Sequence, residues 1–305
     1  MKKTIYKKYT ARDWAFVLTF VTIPIIHFFV FYLYVNFDGI VMAFQNRNID
    51  GTEYFTFKNF ADVFHELGRK GSVIGESVRN TLLTFAVGKC IATPLALCIA
   101  FFMLKGMAGS TFFKVAFYLP AMFSTIANVY MFTYFVGSNG PLFELWTRMG
   151  LVEDKFPILF SQGNAMFSIQ FYYVWSGMGF GVILYTASMN RIPLDLFESA
   201  KLDGAGFATE FFHIVLPYMW GILSTEIVVA LAGCCGGAGI QLLTTRGKYG
   251  TYTVGYYMYE IIKFSPEPES QYFPAAFGLV LSIFLIPTVF AVRKLFSKFW
   301  QDAEV

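Results

Sequence analysis

The chain has 305 residues, of which 56% are hydrophobic and 14% charged, and its mean hydropathy is +0.54. Soluble domains carry about 25% charged residues, so an ordinary water-soluble globular domain is excluded. A net charge of +3 with no dense basic run gives no footprint for nucleic acid. The cysteines Cys90, Cys98, Cys234 and Cys235 lie in apolar stretches without CxxC spacing, and His27, His65 and His213 are scattered. Neither a disulfide framework nor a metal site is expected.

A helix needs about 20 apolar residues to cross the hydrocarbon core. Six runs reach that length: 14–35, 81–104, 112–136, 165–189, 218–239 and 274–292. The expected fold is an all-α integral membrane protein with about six spans, forming a single transmembrane domain over residues 1–305. The basic start (Lys2, Lys3, Lys7, Lys8, Arg12) resembles a signal peptide, but its apolar run is long and no small-residue cleavage site closes it. It is read as a retained first span. Pro24, Pro94, Pro120 and Pro287 fall inside spans and predict kinks.

Cationic flanks set orientation. Both ends and the short turn from Lys105 to Thr111 are basic, whereas the longer alternate connections, 36–80, 137–164 and 240–273, hold most of the acids, among them Glu153, Asp154, Glu267 and Glu269. This places both termini in the cytoplasm. Two charges lie within spans, Lys89 in the second and Glu226 in the fifth. Such residues are costly unless paired or facing water. Either they line a wet cavity or pair with one another, or each lies near an interface and snorkels.

The inner connection 190–217 is longer than a turn requires. Pro193 suits a helix start, with Asp195 at the positive end of the dipole. Gly204 and Gly206 can end that helix, and a second short one can run from about Ala208. The pattern is helix, glycine break, helix, with small residues that let another backbone approach.

This connection carries Glu198-Ser199-Ala200, then Asp203-Gly204-Ala205, then Ile214-Val215-Leu216-Pro217. It resembles the permease subunits of binding-protein-dependent ABC importers for carbohydrates, departing from their Glu-Ala-Ala only at Ser199. Asn80-Thr81, Tyr118-Leu119-Pro120, Trp175-Ser176-Gly177 and Ile240-Gln241-Leu242-Leu243-Thr244 extend the likeness over nearly the whole chain, towards the maltose-type and oligosaccharide-uptake members. The resemblance implies a bacterial cell membrane, a second permease subunit, two ATPase subunits, an external sugar-binding protein and a sugar substrate. It also implies that Glu198, Ser199, Ala200, Asp203, Gly204, Ala205, Ile214, Leu216 and Pro217 couple the spans to an ATPase.

No Walker A sequence is present, since Gly88-Lys89-Cys90 and Gly247-Lys248-Tyr249 lack the upstream glycine and the Ser/Thr. The chain is therefore expected to be no enzyme and to bind no cofactor, with ATP and magnesium on the partner ATPases. By the same resemblance the substrate pathway would be lined by Tyr173, Ser176, Gly177 and Phe180, and by Ala230, Gly233 and Cys234. The first four share one helix face, although aromatic and small residues also suit ordinary packing between membrane helices. The glycine run Gly233, Gly236, Gly237 and Gly239 is either a break near the pathway or a close-packing device. A permease for a non-sugar solute is the alternative. A membrane-embedded enzyme lacks the convergent His, Asp and Glu groups it would need.

Overall fold

The computed structural model describes residues 10–48, 50–106, 109–137, 140–150, 161–264 and 271–301. The basic residues Lys2, Lys3, Lys7 and Lys8 lie outside these ranges, as do the acids Glu153, Asp154, Glu267 and Glu269. In chain order the elements are α1 (Ala11–Ala43), β1 (Gln45–Arg47), β2 (Glu53–Phe55), α2 (Lys58–Gly68), α3 (Val73–Leu104), α4 (Ser110–Met122) and α5 (Thr125–Val136). There follow α6 (Pro141–Arg148), α7 (Asn164–Met189), α8 (Leu194–Leu202), α9 (Phe207–Gly233), a 3-10 turn (Ile240–Leu242), α10 (Val254–Phe264) and α11 (Tyr272–Gln301). Among the described residues five helices are long and apolar enough to cross a membrane, or six if the bent pair α4 and α5 forms one span.

Several bounds differ from those expected. The second span begins at Val73 rather than 81, because Ser72 caps it by accepting from the Gly75 amide at 3.1 Å. Glu76 and Arg79 had masked this turn as loop. The third span, expected as one helix over 112–136, breaks at Phe123 and bends by 104°. Pro120 supplies no amide hydrogen there, Phe123 is extended, and Ser124 starts a new helix by accepting from Ala127. The fifth span, expected over 218–239, instead starts at Phe207 and stops at Gly233. The second helix of the inner connection is therefore not a separate short helix but the first turns of α9. The outer spans also exceed their expected limits, 14–35 and 274–292.

Wide π-type turns occur at Phe28–Tyr34, Gly88–Ala92 and Phe211–Val215. The last two come just before Pro94 and Pro217. A proline ring presses on the carbonyl four residues earlier and gives it no hydrogen bond. One extra residue in the turn relieves that clash while the helix continues.

Contacts group the described residues into two units, one within 1–64 and 265–281, the other within 65–264 and 282–305. In the first, β1 and β2 pair antiparallel with Asn46 opposite Tyr54. The buried Asn59 amide donates to the carbonyls of Ala43 and Gln45, fixing α2 against the hairpin base. In the second unit α7 is the central helix, packing on α3, α4, α5 and α9. Its core joins Ala96, Ala100 and Phe101 of α3 to Val182, Tyr185 and Met189 of α7 and Met219 and Leu223 of α9.

Candidate functional site

Two features of the second unit carry chemistry: the connection between α7 and α9, and a cleft beside Tyr173. In the connection, α8 ends in a Schellman cap. The Ala205 amide donates to the Ala200 carbonyl at 2.8 Å and the Gly204 amide to Lys201 at 3.1 Å. Gly204 sits at φ +78°, a conformation glycine adopts without steric cost. Gly206 is extended and opens α9 rather than ending α8. The spacing Ala200, Gly204, Ala205 is thus what a tight helix reversal needs.

Phe197 is the buried residue of α8 and anchors it in the core with Ile192 and Met189, against which Ile214 and Leu216 pack. Under it lies an ion pair of Lys105, at the end of α3, with Glu210 of α9. Glu210 is 5% exposed, and the Lys105 ammonium stands 4.4 Å from the Phe197 ring centre and 5.4 Å from Phe101. Rings on two sides add cation–π attraction to the charge pair. Glu198, Ser199 and Asp203 remain exposed, and Leu194 and Leu202 project into solvent, Leu202 at 90%. The outcome is a rigid helix, clamped from below, that presents both acids and apolar side chains outward.

The second feature is a pair of adjoining cavities of about 220 and 180 Å3 that share Thr84, Gly88, Lys89 and Tyr173. Lys89 lies in the π turn of α3 and forms an ion pair with Glu226 of α9. The Tyr185 hydroxyl donates to the other oxygen of Glu226. Three spans therefore meet at one carboxylate, and both charged side chains stay partly open, at 20% and 27%. Intramembrane charges are tolerated where they pair and face a wet cavity.

The far wall of the larger cavity is glycine. Gly236, Gly237 and Gly239 leave the helical path after Gly233, and Gly255 of α10 lies so close to them that a Cβ would sit 1.9 Å from the Gly237 oxygen. Asn80 holds this return segment by donating to the carbonyls of Gly250 and Tyr252, both at 2.9 Å, while the Val254 amide donates to Thr81 at 2.9 Å. Burial, with the nearby Glu260 carboxylate, pushes the Tyr252 hydroxyl pKa up, so it is neutral at physiological pH.

A family model for the inner membrane component of binding-protein-dependent transport systems matches residues 91–301, a range holding α8, α9 and one wall of the cleft. The chain belongs to this family. The multiple sugar-binding transport system permease protein MsmF of Streptococcus mutans is 26% identical to it, covering 92% of this chain and 95% of that protein. The arabinooligosaccharides transport system permease protein AraP of Bacillus subtilis is 23% identical, covering 90% and 86%. A solved bacterial ABC transporter involved in the import of the acidic polysaccharide alginate shares the fold, with TM-score 0.75, 20% identity and coverage of 94% and 96%. The chain is thus a multi-pass inner membrane component of a binding-protein-dependent transport system.

Within this permease, the residues aligned with the pathway divide. Tyr173, Gly177, Phe180, Ala230 and Cys234 line the cavities. Ser176 and Gly233 do not. On a helix the stripe Tyr173, Gly177, Phe180, Leu184 is centred on the cleft, which spreads towards Gly181 and Tyr185. Ser176 lies on the opposite flank, beside Tyr172. Gly233 is the last residue of α9 and is exposed. Sequence reasoning missed Glu210, Tyr185 and Thr84. Glu210 carried a signal, being an acid in an otherwise apolar helix start. Tyr185 carried none beyond its i+12 spacing from Tyr173.

Proposed function

We propose that this permease subunit carries a sugar or oligosaccharide, delivered by an external binding protein, across the cell membrane beside a second permease subunit. The energy comes from ATP hydrolysed with magnesium on two separate ATPase chains, which dock on the α8 connection on the cytoplasmic side, where both termini also lie. The observation that carries this reading is the construction of α8. It is short, capped at Gly204, clamped by Lys105 and Glu210, and exposes Glu198, Asp203, Leu194 and Leu202. A load-bearing contact must be stiff towards its own spans and sticky towards its partner, and this helix has both properties. The sugar assignment draws on the cargo named in the MsmF and AraP relatives. Tyr173 and Phe180 offer ring faces for sugar stacking, and Thr84, Lys89 and Glu226 offer hydrogen bonds to hydroxyls.

The test is affinity purification of the tagged chain in mild detergent. Wild type should retain a second permease and an ATPase chain. Glu198→Arg combined with Leu202→Asp should release the ATPase while the two permeases stay together. Retention of the ATPase by that variant would overturn the docking assignment.

A further inference from the structure

Away from the cleft and the α8 connection, a third cavity of about 480 Å3 lies between α9 and α11. Its walls are two matched helix faces. Gly221, Ser224, Thr225, Val228 and Val229 lie at i, i+3, i+4, i+7 and i+8 on α9, and Arg293, Phe296 and Ser297 lie at i, i+3 and i+4 on α11. The two helices meet at one level through Trp220, midway along α9, whose indole N–H donates to the carbonyl of Phe296, near the C-terminal end of α11, at 3.4 Å.

We propose that this cavity holds the headgroup and upper acyl chain of an anionic phospholipid, from the leaflet that faces the C-terminal end of α11. Three observations carry it. The lining has one full charge, the Arg293 guanidinium, and no carboxylate among the described residues; from 293 to 301 α11 has Arg293, Lys294 and Lys298 and no acid. The hydroxyls of Ser224, Thr225 and Ser297 spend their hydrogens on carbonyls of their own helices, at 3.1, 2.8 and 2.9 Å. None of them supplies the negative charge that Arg293 lacks among the described residues. Finally the walls are graded. Arg293 and the hydroxyls lie towards the α11 end, and Val228 and Val229 lie one to two turns further into the span. Phosphate binds a guanidinium through paired charged hydrogen bonds. Basic pockets between membrane helices at the interface suit anionic headgroups, and the valines suit the first methylenes of the tail.

The experiment is native mass spectrometry of the importer assembled with its partners, in mixed micelles of equimolar phosphatidylglycerol and phosphatidylcholine. Wild type should retain phosphatidylglycerol in roughly tenfold preference. Arg293→Gln should abolish that preference, whereas Lys298→Gln, which is not in the lining, should keep it. Val228→Trp, which fills the apolar end and leaves the arginine, should also expel the lipid; it keeps the question decidable if Arg293→Gln fails to assemble. Equal retention of the two lipids would overturn the proposal. So would retention untouched by either cavity variant, or retention by the isolated chain that vanishes on assembly, which would give the cavity to a partner subunit. Displacement of the lipid by millimolar inorganic phosphate alone would likewise reassign it to a free anion.

Discussion

The second unit contains two lysine–glutamate pairs made of the same atoms in different surroundings. In the pair beneath α8 the Glu210 carboxylate is almost wholly buried, while Lys105 is 20% exposed and carries aromatic rings against its ammonium. Lys89 and Glu226 sit in a cavity wall, each partly open, with a tyrosine hydroxyl as third member. Burial raises the penalty for losing a partner, and openness lets water or a ligand substitute for it. The first pair is therefore a structural clamp under α8, and the second borders the cleft that cargo would enter under the proposed function.

The largest effect is expected when the clamp loses one half. Lys105→Ala strands the Glu210 carboxylate, 5% exposed, and should cost about 3 kcal/mol of stability or more, read as a lower melting temperature of the purified complex. Replacing both partners, Lys105→Met with Glu210→Leu, should recover most of it. At the cleft, Lys89→Ala should cost less, about 1 to 2 kcal/mol, because water can reach the Glu226 carboxylate, which is 27% exposed. The exchange Lys89→Glu with Glu226→Lys should recover part of the transport lost in each single swap; no recovery would break the pairing.

Backbone tests sharpen the same contrast at smaller magnitude. Gly204→Ala places a Cβ at φ +78° and should cost about 1 kcal/mol. Gly206→Ala, at an extended position with open space around it, should cost a few tenths. Both are read from denaturation midpoints, and ATPase activity should fall only with the first. Tyr185→Phe removes one hydroxyl from Glu226 and should leave stability within about 1 kcal/mol while lowering uptake.

Much of this architecture was legible because lipid enforces simple rules. Runs of apolar residues marked every span, and the Glu198 to Pro217 pattern marked the α8 connection with its family. The ends of helices were less legible, for reasons that differ from place to place. At 73–80 charged residues continue the helix beyond the apolar run. At Phe123 apolar composition runs straight through a break that only Pro120 and the capping Ser124 announce. The π turns before Pro94 and Pro217 leave no mark on hydropathy, although the prolines hint at them. In the cleft, one helix face could be read by spacing, but the partners of that face could not. The pairing of Lys89 with Glu226 is one of the readings the sequence leaves open, since these are the two charges within spans, and the packing of α3 against α9 decides for it; Lys105 and Glu210, 105 positions apart, carry no such mark.

The division of labour between the two pairs is tested most directly by uptake per ATP hydrolysed. The assembled importer would be reconstituted in proteoliposomes with its binding protein, and two apolar double variants compared, Lys89→Met/Glu226→Leu and Lys105→Met/Glu210→Leu. The cleft variant is expected to keep binding-protein-stimulated ATPase activity while uptake falls at least tenfold. In the clamp variant, where apolar side chains refill the space under α8, both activities should stay near wild type. Full uptake by the cleft variant, or a proportional loss of ATPase activity with it, would contradict the assignment of Lys89 and Glu226 to the pathway.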